Sequence, residues 1–153
     1  MGKTTSPNWQ PQECNAKTVL LGDERLDNPL HVFHLIERGI PVRNAVRALT
    51  VVGVIRNEQI VAKLVEMSSR TLRRAARDSQ RVLSRHQSAC VWHFLSALSR
   101  AERIIGPHQL AQGWIAAPSL GLNGYAPIDL LINPAGYEIV SDFLTRLEYG
   151  VYG

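Results

Sequence analysis

The chain has 153 residues, of which 45% are hydrophobic, and a formal net charge of +4. That length fits one compact domain or two small ones, and the apolar content is enough for a real core. No apolar run approaches a membrane span, the first fourteen residues lack the apolar stretch of a secretory signal, and Cys14 and Cys90 make neither a disulfide framework nor a metal set. A reducing cytoplasm is the expected location.

The charge is concentrated in one place. Residues 69–86 carry Arg70, Arg73, Arg74, Arg77, Arg81 and Arg85 against Asp78 alone, which leaves the rest of the chain close to neutral. Guanidinium groups make bidentate contacts to phosphate and guanine, so an all-arginine block points to an anionic partner, with nucleic acid first. The plainer alternative is a solvated helix face.

Residues 1–28 read as a flexible polar tail, within which Lys17 to Leu21 either pairs as an edge strand or simply packs. Asn28-Pro29 is a helix start, and Gly39 a stop. Leu30, Phe33 and Ile36 form the apolar face between them, widened by Val32 and Leu35. Pro41 opens a second helix with Val42, Ala45, Val46 and Leu49 inward. Asn57 caps a third, with Ile60, Val61, Leu64 and Val65 buried. Ser68 or Ser69 caps a fourth. Two short amphipathic helices joined by a tight turn, the second arginine-rich, have the shape of a helix-turn-helix. Leu72, Ala75 and Ala76 are expected inward, with Ser69, Arg70, Thr71, Arg73, Arg74 and Arg77 as the DNA-binding set. Glu66 stands at the turn, where such units often carry glycine; a non-glycine residue at positive φ costs stability there.

Ser84 caps a long helix ending at Ile105, before Gly106-Pro107. Its stripe of Val91, Leu95, Leu98, Ala101 and Ile105 suits either a core spine or a homodimer seam. A helix from Pro107 to about Ala116 follows, carrying Leu110, Trp114 and Ile115. Then comes a loop in which Gly121 and Gly124 supply backbone freedom, a short helix from Pro127 to Leu131, and a last helix from Asn133-Pro134 to Leu147. Ile139, Val140, Phe143, Leu144 and Leu147 are its expected inner face.

No catalytic constellation emerges. Gly121-Leu122-Asn123-Gly124 is too short to cradle phosphate, and no strand precedes it. His31, His34 and Glu37 lie three apart, a spacing that could gather metal ligands, but the set lacks further partners. A metal-dependent enzyme on His31 and His34 is the third reading behind two non-enzymatic ones, and no cofactor is expected.

Trp114, Pro118, Leu122, Gly124, Pro127, Asp129, Leu130 and Leu131, followed by Leu147-Glu148-Tyr149-Gly150-Val151-Tyr152, carry a resemblance. In that order and spacing they resemble the toxin-binding domain of Xre/MbcA/ParS-type antitoxins, the partners of RES-domain toxins. The resemblance implies an all-α protein: a helix-turn-helix bundle over 29–105 for operator DNA and dimerisation, then a small helical C-terminal toxin-binding domain over 106–153. It implies that Arg146, Glu148, Tyr149, Gly150, Val151 and Tyr152 meet a NAD-consuming RES-domain toxin, the segment entering its active site, and that the protein represses its own operon. The alternative is a stand-alone dimeric DNA-binding transcription regulator with no toxin partner.

Overall fold

Short polar caps set most of the helix boundaries. A computed structural model describes residues 28–150, and these are all-α. Asn28 Oδ1 accepts from Leu30 N–H at 3.0 Å and starts α1 (Pro29–Arg38). Pro41 precedes α2 (Val42–Val51). Asn57 Oδ1 accepts from Ile60 N–H at 3.2 Å to start α3 (Glu58–Val65), and Ser68 Oγ from Thr71 N–H at 3.1 Å to start α4 (Ser69–Ala75). Ser84 and Gln87 exchange side-chain and backbone bonds at 3.0 Å, a reciprocal capping box that opens α5 (Arg85–Ile105). After α6 (His108–Ala116) come a 3-10 turn (Leu120–Leu122), α7 (Pro127–Leu130) and α8 (Pro134–Glu148), the last capped by Asn133 Oδ1 on Gly136 N–H at 2.9 Å. Each such cap is worth about 1 kcal/mol.

Helix α5 is the spine. α1 and α3 pack on it from the N-terminal half, α6 and α8 from the C-terminal half. Val91, Phe94, Leu98 and Ala101 are buried on it, and so are Ser96, Ala97 and Ser99, whose small side chains admit neighbours around most of its middle. The stripe expected to offer a dimer seam is therefore consumed inside one chain: Val91, Leu95, Leu98 and Ala101 are all buried. The apolar core runs without a break from Leu35 to Leu144, across the expected division at residue 105.

Two expected faces are rolled. In α1, Leu35 is buried while Leu30 and Phe33 are 57% and 55% exposed. The roll is fixed just downstream. Ile40 N–H donates to the buried Ser88 Oγ at 2.9 Å, and Leu83 N–H donates to Ile40 O at 2.8 Å. Gly39, at φ +88, lies so close to Leu83 O that a Cβ would sit 2.3 Å from it. In α8, Val140 and Leu144 are buried but Ile139 is 49% exposed, because the helix seats on α5 and α7 and turns Ile139 outward.

The expectations for residues 17–21 and for Cys14 lie outside the described residues. Cys90 is buried as expected; burial, and secondly the Glu66 carboxylate, push its thiol up from the usual range.

Candidate functional site

Two surfaces stand out, one cationic and one apolar. The first is the helix pair α3–α4, joined by residues 66–68. Glu66 takes the left-handed conformation there, with φ +57, and its N–H closes α3 on Ala62 O. Leu72 is fully buried and holds α4 on α2 and α3. Arg70, Thr71, Arg73, Arg74 and Arg77 are exposed. Thr71 also serves the turn: its N–H is capped by Ser68, and its hydroxyl accepts from Ser68 Oγ at 2.9 Å.

Ser69 corrects the expected DNA-binding set. Its side chain is fully buried, with Oγ donating to Ile55 O at 2.5 Å and N–H donating to Glu58 Oε2 at 3.1 Å. It fastens the start of α4 to the loop before α3 and has no surface to offer. The arginines also divide. Arg85 pairs with Glu37 at 3.2 Å, and the Arg81 backbone carbonyl accepts from Val42 N–H at 3.0 Å. The other four stand on α4 or just after it.

The second surface is built by the 3-10 turn, α7 and α8. Gly136 makes the corner possible: a Cβ there would lie 1.7 Å from the backbone oxygen of Leu130. Gly121 acts by close approach rather than by the backbone freedom expected of it. Its Cα side meets Phe143, where a Cβ would fall 2.2 Å from Cε2, and Phe143 in turn stacks on Trp114 with centroids 6.0 Å apart. The left-handed positions of this loop are Asn123 and Gly124. His93 on α5 stacks on Tyr137 of α8 at 4.3 Å, and burial lowers its pKa from the ordinary 6.5.

Arg100 fixes α8 to the spine. Its guanidinium donates to Ser141 Oγ at 2.7 Å, Ser141 O at 3.3 Å and Thr145 Oγ1 at 2.8 Å, and stands 4.0 Å from Glu148 Oε2. It thus sets the direction in which the last turn of α8 leaves the core. Beyond it Arg146 and Glu148 are exposed, Tyr149 is 76% exposed, and Gly150 turns left-handed at φ +67 with its N–H on Leu147 O. A cavity of about 350 Å³ opens beside α8, lined by Gly121, Tyr125, Leu130, Ile139 and Arg146 among others.

Comparison with known families bears on this second surface. Residues 100–150 match the family described as the antitoxin Xre/MbcA/ParS C-terminal toxin-binding domain. The segment that builds the surface is therefore similar to a toxin-binding domain of that type. No curated protein matches the chain. The match begins at Arg100, the residue that clamps α8, and ends at Gly150, so Arg146, Glu148, Tyr149 and Gly150 fall within it. Val151 and Tyr152 lie outside the described residues.

Reasoning from the sequence missed Arg100, Leu120 and Tyr125. Nothing in the local pattern marks Arg100, whose partners lie 41 and 45 residues away. Leu120, by contrast, was open to notice as a large apolar group between Ser119 and Gly121.

Polar ties join the toxin-binding domain to the arginine-bearing half. Lys63 of α3 pairs with Asp129 of α7. His108 of α6 bridges Glu102 and Val52 O, the latter shared with Gln112 Nε2 at 2.6 Å. Among the described residues no three His, Cys, Asp or Glu side chains converge to hold a metal ion, so His31, His34 and Glu37 do not form a set. No helix among the described residues is long and apolar enough to cross a membrane.

Proposed function

We propose that the chain is the antitoxin of a RES–Xre module, acting by binding rather than by catalysis. The observation that carries this reading is the toxin-binding domain at residues 100–150, whose last helix is clamped by Arg100 and presents Arg146, Glu148 and Tyr149 to solvent. The partner is a RES-domain toxin that consumes NAD, and the segment from Glu148 to Tyr152 enters its active site. Tyrosines give large contact area for little entropy loss, which suits them to that role. The α3–α4 pair is the helix-turn-helix: Arg70, Arg73, Arg74 and Arg77 contact operator DNA, and the protein represses its own operon as a homodimer. Since the α5 stripe is internal, the dimer forms through another face.

Cellular NAD tests the toxin half. A RES-domain protein from the same operon is co-expressed with the full chain or with a chain stopping at Leu147. The full chain preserves NAD and the shortened one does not, while both bind the partner. Equal protection by the two would remove the active-site role of the last residues. For the DNA half, replacing Arg70 and Arg73 weakens operator binding by about 1–3 kcal/mol for each residue that reads a base, or lowers the salt dependence where phosphate is held. Unchanged operator binding without both would overturn the assignment of α4.

A further inference from the structure

Several large apolar side chains of the toxin-binding domain are left in solvent. Leu120 is 98% exposed at the 3-10 turn, and Tyr125, Ile139 and Tyr149 are exposed as well. Tyr125 and Ile139 line the same cavity of about 350 Å³ as Gly121, Leu130 and Arg146. Leu120 precedes the lining residue Gly121 in the chain, so three exposed apolar groups belong to the elements that build that one groove. Contiguous exposed apolar surface with a polar rim marks an interaction site. Arg146 supplies the charge: it is exposed and has no ion-pair partner among the described residues.

The groove is also rigid. Gly121 rests on Phe143, Phe143 stacks on Trp114, and Gly136 seats α8 under the Leu130 backbone. A preformed groove loses little freedom when it is filled.

We infer that this groove is a second docking site for the toxin, separate from the last residues of the chain, and that it takes an apolar ridge of the toxin flanked by a carboxylate that meets Arg146. The toxin is the occupant because the groove lies wholly inside the matched toxin-binding domain, which ends at Gly150. Grip and inhibition are then divided: the groove holds the toxin, and the end of the chain from Glu148 onward blocks it. The inference rests on the antitoxin reading above.

The test measures affinity for the RES-domain protein of the same operon by titration calorimetry. The chains are the full one, a chain ending at Gly150, the L120D/I139D variant and Arg146→Glu. All changed side chains are exposed, and thermal melting checks that each variant is folded. Ending the chain at Gly150 weakens binding less than tenfold. L120D/I139D weakens it more than a hundredfold, and Arg146→Glu more than tenfold. Folded groove variants that bind within threefold of the full chain would overturn the groove while leaving the antitoxin reading intact. No binding by the full chain would remove that reading, and the groove with it.

Discussion

The arginine pair α3–α4 and the region matched to the toxin-binding domain share one core and one spine, yet they place different chemistry in solvent. On α4 a single buried leucine and a buried serine hold a seven-residue helix, and what remains outside is cationic. On α8 a fifteen-residue helix is held by Arg100 and by close glycine contacts, and what remains outside mixes Ile139 with Glu138, Asp142, Arg146 and Glu148, next to the exposed Leu120 and Tyr125 of the preceding loop. A cationic surface is drawn to its partner over a distance and weakened by salt. An apolar groove acts only at contact and depends on shape. The two surfaces thus differ in the chemistry they offer, and each depends on a different kind of fastening.

The fastening of the toxin-binding domain is the more fragile. Gly136→Ala drives a methyl into the Leu130 backbone oxygen, and neither backbone can yield cheaply. It lowers unfolding free energy by about 3 kcal/mol, the upper end of what overpacking costs, as read by urea denaturation. Arg100→Ala comes next. It removes charge-assisted donors from Ser141 and Thr145 and costs about 2 kcal/mol. The Glu148 contact adds little, since that carboxylate is half exposed and at the 4.0 Å limit. A loss of toxin affinity in Arg100→Ala larger than the loss in stability would show that the direction of α8 matters beyond its folding.

The fastening of α4 is tested by Ser69. Ser69→Ala leaves the buried Ile55 carbonyl without that hydroxyl and costs about 1–2 kcal/mol of stability. Arg70→Ala, one residue along on the exposed side, changes stability by no more than about 0.5 kcal/mol while weakening operator binding. Denaturation and DNA titration of the same two variants separate the roles. If Ser69→Ala is neutral in denaturation, the buried hydroxyl is not what holds α4.

These pairs also show what a sequence can and cannot disclose. Helix starts at Asn28, Asn57, Ser68, Ser84 and Asn133 were legible because a cap and its N–H lie two or three residues apart. The roll of a helix was less so. Leu30, Phe33 and Ile139 lie at core spacing, and only the neighbouring element decides which side of the stripe is covered. Ser69 looked like a surface residue at the head of an arginine helix. Its fate is set by Ile55, fourteen positions earlier. The arginines beside it were legible as an exposed set because Asp78 alone within the block opposes their charge. The groove was not, because its walls come from three separate elements and its exposed groups are those a sequence assigns to a core.

The turn between α3 and α4 gives the smallest effect and the most direct view of how the two halves communicate. Glu66 holds φ +57 without being glycine, a conformation that strains an L side chain. Glu66→Gly relieves that strain but adds freedom to the unfolded chain, so the net gain in stability is about 0.5–1 kcal/mol. It also removes a carboxylate from beside the cationic surface, which raises operator affinity. The charge of the same exposed carboxylate is also felt by Cys90, whose thiol is held above its usual range of about 9.0 first by burial and secondly by Glu66. In Glu66→Gly the Cys90 thiol therefore ionises at lower pH than in the parent, with burial still keeping it high. Thiol reactivity against pH, in a Cys14→Ser background, reads that change. An unchanged thiol profile together with higher operator affinity would mean that Glu66 acts on the surface alone. A shift in both would make the turn a point at which the core beside α5 and the cationic surface feel the same charge.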